Sequence, residues 1–83
     1  MTQDRENESE LAACVRQALN SYFERLDGEQ PAAVYDMVLK TVERPMLQVV
    51  LQHAHGNQTH AAAMLGINRN TLRKKLVDHK LIS

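Results

Sequence analysis

A chain of 83 residues has room for one thin core, and with 43% hydrophobic residues but only 4% aromatic ones that core must be aliphatic. The formal net charge of zero excludes a uniformly basic nucleic-acid coat, and no apolar run approaches the roughly 18 residues that a bilayer span takes. The single cysteine, Cys14, has no partner for an intrachain disulfide and reads as a small buried hydrophobe in a reducing compartment.

Residues 1–8 show no periodicity and are expected to form a disordered tail. They are acidic and polar rather than basic and then apolar, so no export signal is read and a cytoplasmic location is expected. From Leu11 the apolar residues Leu11, Val15, Ala18, Leu19, Tyr22, Phe23 and Leu26 recur at helical spacing as far as Asp27-Gly28. This predicts a helix of about 17 residues, capped by Ser9. Pro31 suits the first turn of a second helix, where its missing N–H has no intrahelical partner.

Val34, Val38, Val42, Val49, Val50 and Leu51 carry that helix to about Ala54, with Pro45 inside it. Pro45 cannot donate to the carbonyl of Thr41, which predicts a bend. Between Leu47 and Leu51 the helix is apolar on more than one face, more than a small monomer can cover. Residues 9–55 are therefore read as dimerisation helices that pack against a second copy. The chain shows no repeat and no strand signal.

Residues 56–83 read as two short helices forming a helix-turn-helix. Asn57 caps the first, small alanines let another helix approach, and Gly66 supplies the positive φ of a tight turn. Asn68 caps the second, in which Leu72 and Leu76 face inward and leave Asn70, Arg73, Lys74 and much of Lys75 outside. The zero net charge hides a polarity along the chain. Residues 1–30 hold seven acids against three arginines, a balance of −4, whereas residues 56–83 hold five cations against Asp78 alone, a balance of +4. One end repels phosphate and the other attracts it.

The fold expected is all-α, with four helices: an N-terminal pair forming an intertwined dimer core and a C-terminal helix-turn-helix. Two such heads about a two-fold axis would address a pseudo-palindromic site in double-stranded DNA. Catalysis is not expected, because no nucleophile, base and oxyanion-hole set can be assembled. No cofactor and no metal are expected either: His53 and His55 lie about 200° apart round a helix, and no carboxylate or thiol completes a tetrahedral set. The alternative is a helical dimeric protein-interaction module that binds no DNA. It draws on the zero net charge, but the outer face of the last helix offers Arg, Asn and Lys rather than apolar anchors.

The runs Gly56-Asn57-Gln58-Thr59, Gly66-Ile67-Asn68-Arg69 and Thr71-Leu72-Arg73-Lys74-Lys75-Leu76 resemble the Fis family of bacterial nucleoid proteins. The resemblance extends through Val15-Arg16-Gln17-Ala18-Leu19, Tyr22-Phe23, Val38-Leu39 and Val42-Glu43-Arg44-Pro45, and so spans about residues 11 to 80. It implies a nucleoid-associated homodimer that bends DNA and regulates transcription, with much of its site preference coming from deformability at bases it never touches. It further implies that Asn68, Arg69 and Lys74 contact bases, Arg69 through a bidentate bond to a guanine edge. Asn57, Thr59, Thr71, Arg73 and Lys75 match the phosphate-contacting positions. His55, Gly56 and Gln58 match a surface that meets RNA polymerase.

The chain departs from the family pattern at five residues and in its tail. Val77 and Asp78 stand where lysines are usual, His55 and His60 where arginine is common, and Asn70 where glycine is. Fewer cations should lower affinity and flatten its salt dependence, by about 0.9 in logarithmic slope per phosphate left unneutralised. His55, His60 and His79 could return charge in mildly acid buffer. The tail before the first helix is too short and unpatterned for the hairpin arm with which the family touches a recombinase, which argues against recombinase stimulation.

Overall fold

The computed structural model describes residues 8–83, all helix and connecting loop. The helices are α1 (Glu10–Leu26), α2 (Val34–His53), α3 (Gln58–Leu65) and α4 (Arg69–Asp78). The chain separates into two compact units, one ending at Ala33 and the other running from Val34 to Ser83. Apart from Glu8, the tail expected over 1–8 lies outside the described residues. Glu8 itself accepts from the Arg16 guanidinium, with Nε to Oε2 at 3.0 Å.

In the first unit, α1 begins where Ser9 Oγ accepts the Ala12 N–H at 3.1 Å. That bond satisfies one of the helix's orphan donors. The helix ends at Asp27, whose φ of 51° leaves the helical region while its N–H still reaches the Glu24 carbonyl. None of its residues is buried: Leu11 is 66% exposed and Phe23 47%. Cys14, expected inside, is exposed too. It sits at the edge of the Leu11–Val15–Leu19 stripe, of which even Val15 and Leu19 are only half-buried within the unit.

Pro31 does not enter α2. The helix starts three residues later at Val34, because Ala33 adopts φ 53°, a left-handed conformation that cannot be part of a right-handed helix. Asp36 then supplies the first-turn acid that complements the helix dipole. The helix runs on through Pro45, which occupies an exposed position, as far as His53.

The core of the second unit is Leu47, Ala54, Ala61, Ala62, Leu72 and Leu76, flanked by Val50, Leu51, Leu65, Ile67, Leu81 and Ile82. It is aliphatic throughout. The C-terminal half of α2 thus serves as the third helix against which the two short ones pack, burying Leu47 and Ala54 with them.

All three helices of this unit end in the same way. A residue in the left-handed region follows the helix, and the next N–H reaches back five residues: Gly56 to Leu51 O at 2.9 Å, Ile67 to Ala62 O at 3.0 Å, Leu81 to Leu76 O at 2.8 Å. This is the Schellman arrangement, which satisfies carbonyls that the helix itself cannot. The left-handed residues are His55, Gly66 and Lys80, so only one of the three is glycine.

Candidate nucleic-acid interface

The site is built by two capped helix starts and the turn between them. Asn57 Oδ1 accepts the His60 N–H at 3.0 Å and opens α3, with Gln58 half-buried and Thr59 and His60 exposed. Ala61 and Ala62 face the core, 1% and 4% exposed, which lets α3 lie close against its neighbours. Gly66 then turns the chain at φ 73°. A Cβ at Gly66 would meet nothing within 4 Å, so glycine is needed for its backbone conformation and not for space.

Asn68 opens α4 by accepting the Asn70 N–H at 2.7 Å. Leu72 and Leu76, four residues apart, are buried and fix the rotation of the helix. With that face inward, Asn70 and Lys74 point directly away. Arg69 and Arg73 occupy one flank, while Thr71 and Lys75 occupy the other. Arg69, Asn70, Thr71, Arg73 and Lys74 are all exposed. Asp78 follows Lys74 by one turn on the outer face, beside Val77, which is 42% exposed.

Neither α3 nor α4 carries an acid in its first turn, whereas α1 has Glu10 and α2 has Asp36. The positive ends of the two short helices are capped by neutral asparagines and carry no first-turn carboxylate, an arrangement that suits anions. Asn57, Thr59, Asn68 and Thr71 sit at those two ends.

Lys75 is the exception among the cations. Its Nζ lies 2.8 Å from Glu43 Oε2 on α2, and its side chain is 37% exposed. The other oxygen of the same carboxylate lies 2.7 Å from His79 Nε2. An ionised carboxylate can only accept, so a neutral His79 must carry its proton on Nε2. The Arg44 guanidinium donates to the His79 carbonyl. Hydrogen bonds from Lys75 and then His79 hold the Glu43 carboxyl below the usual carboxylate range, against a smaller opposing effect of burial. The sequence reading missed this cluster, and only the approach of α4 to α2 reveals it.

His55, Gly56 and Gln58 lie together at the turn between α2 and α3, with His55 at φ 55°. Among the described residues no cluster of three or more His, Cys, Asp or Glu could hold a metal ion, and no helix is long and apolar enough to cross a membrane.

The model of the bacterial regulatory proteins of the Fis family matches residues 38–78, a span that covers most of α2 and all of α3 and α4. The chain is also 52% identical over 73 residues to a Fis-like protein of Neisseria meningitidis, covering 88% of this chain and 92% of the relative. The chain belongs to the Fis family. A Fis-like protein of Ralstonia nicotianae is 54% identical over 72 residues, covering 87% of this chain and 94% of its own length. The "DNA-binding protein Fis" of Glaesserella parasuis is 58% identical over 62 residues, 75% of this chain and 63% of that protein. The Fis-family span takes in every residue of the two capped starts and the turn between them, and Glu43 as well.

Proposed function

We propose that this Fis-family chain is a homodimeric DNA-binding and DNA-bending protein of the bacterial nucleoid that regulates transcription. The observation that carries the reading is the α3–α4 unit: two helices with acid-free starts, joined by a turn at Gly66, with exposed Arg69, Arg73 and Lys74 on a helix whose opposite face is locked by Leu72 and Leu76. Two relatives named for DNA binding, both 58% identical over the matched residues, support it.

In this reading α4 enters the major groove. Arg69 contacts a guanine edge bidentately, and Lys74 and the free amide nitrogen of Asn68 reach neighbouring bases. Asn57, Thr59, Thr71 and Arg73 hold phosphates on either side and set the register. Sparse base contacts leave much of the preference to the shape and flexibility of the site. The outer-face Asp78 limits how far along the groove the helix stays attractive to DNA, and Asn70 adds bulk beside the bases.

Dimerisation is supported by uncovered apolar surface. Leu11 and Phe23 on α1, and Tyr35, Leu39, Met46 and Val49 on α2, are all between 44% and 76% exposed in the single chain. Two helices so exposed reach stability by packing against a second copy. The turn at His55, Gly56 and Gln58 is the surface assigned to RNA polymerase. The chain acts by binding rather than catalysis and works in the cytoplasm.

The test is gel-shift titration on a short A/T-centred duplex with flanking guanines, over a salt series and alongside a circularly permuted bending probe. A complex of two subunits on bent DNA, with affinity falling steeply as salt rises, is expected. Absence of binding at low salt would overturn the reading in favour of a helical module for a protein partner.

A further inference from the structure

Resting on the DNA-binding reading above, we propose that Glu43 is a positioning residue that withholds Lys75 from the phosphate backbone and fixes the last turn of α4 against α2, so that α4 binds DNA with one cation fewer than its sequence offers.

The geometry divides the cations of α4 into two classes. Arg73 and Lys74 are exposed, whereas Lys75 is half-buried with its Nζ on Glu43 Oε2 at 2.8 Å. The carboxylate is held at both ends, since His79 occupies Oε1 at 2.7 Å. Arg44, the neighbour of Glu43 on α2, grips the backbone carbonyl of the same His79. Two consecutive residues of α2 therefore hold side chain and backbone at the end of α4. A carboxylate clamped in this way cannot swing aside to release Lys75 without also giving up His79. A phosphate bidding for Lys75 has to break a charge-assisted bond that already exists.

Lys75 would otherwise be well placed. It follows Thr71 by one turn on the same flank, so an ammonium released from Glu43 could reach the strand that Thr71 faces. Counterion release makes this measurable, because each phosphate neutralised adds about 0.9 to the slope of log affinity against log salt. A lysine already paired with Glu43 adds nothing to that slope.

The experiment uses the full chain and compares salt slopes on one duplex for the unchanged protein, Lys75→Ala, Glu43→Gln and the double variant, with helix content followed by circular dichroism. Lys75→Ala is expected to leave the slope unchanged. Glu43→Gln keeps the shape and removes the charge, so it should steepen the slope by about 0.9 per subunit, which for the two-subunit complex is an extra loss of affinity of roughly tenfold between about 50 and 200 mM salt. The double variant should return to the original slope. A folding defect would not produce that reversal, since it would weaken binding without adding a salt-sensitive contact. A slope that falls by about 0.9 in Lys75→Ala, or one that fails to rise in Glu43→Gln, would overturn the role of Glu43 alone. Absence of salt-dependent binding by the unchanged chain would overturn the DNA-binding reading and this inference with it.

Discussion

The side-chain carbonyl of Asn68 accepts the backbone N–H of Asn70 at 2.7 Å, so the residue proposed to read a base also starts the helix that presents it. Its oxygen is committed to the cap, which leaves the amide nitrogen for DNA. Asn68→Ala should destabilise the fold by about 1 kcal/mol through loss of the cap. Asn68→Asp keeps a capping oxygen but loses the donor and adds a negative charge, so it should melt like the original chain and bind DNA more weakly. Urea melts and gel shifts on the same two variants separate the roles.

Leu76 is completely buried and Val77, beside it, is 42% exposed. Leu76→Ala should cost about 2–5 kcal/mol by leaving a cavity between α2 and α4, enough to unfold much of a domain this small. Val77→Ala should stay within about 0.5 kcal/mol of the original. Denaturation followed by circular dichroism checks both.

Lys80 closes α4 at φ 59°, in a region that disfavours side chains. Lys80→Gly relieves that strain and should stabilise the chain by up to about 1 kcal/mol. A lower melting temperature in this variant would show that the lysine side chain contributes more than its backbone conformation costs.

The Glu43 carboxyl is held below its ordinary value of 4.5 by hydrogen bonds from Lys75 and His79. A lowered folded-state value means that the unfolded chain binds the proton first as pH falls. The stabilisation is therefore present in full above the unfolded value and fades as pH drops through the folded one. Thermal midpoints measured from pH 6 down to pH 3 should fall at the acid end, and the fall should be smaller in Glu43→Gln. Equal losses in both proteins would show that other carboxylates govern the acid limb.

Arg69 and Arg73 lie on the same flank of α4, yet their variants should behave differently. Arg69→Ala is expected to cost about 1–3 kcal/mol on a preferred site and to relax preference at one symmetric position. Arg73→Ala should weaken preferred and random DNA alike and lower the salt slope. Binding titrations on both kinds of duplex decide whether the two arginines divide the work in this way.

What the sequence made legible was local. Ser9, Asn57, Gly66 and Asn68 act within four residues of themselves, and Leu72 and Leu76 reveal their face by spacing alone, so these positions could be read from the chain. Pro31 was misleading because it is compatible with a helix start but does not compel one, and Ala33 decides the matter two residues later. The left-handed residues His55 and Lys80 carry no side-chain signature of that conformation. Glu43 joins residues 32 and 36 positions away, a link that exists only once α4 lies against α2. Lys75 therefore looked like one more surface cation.

Cys14 is the sole thiol of the chain and stands exposed on a helix that has no fully buried residue. Each chain thus comes with one natural attachment point for a maleimide dye or spin label, set in the unit that does not contain α4. Its alkylation rate, followed as protein concentration rises, becomes a reporter of self-association that needs no engineered residue. Two labels brought within energy-transfer range would count the subunits directly.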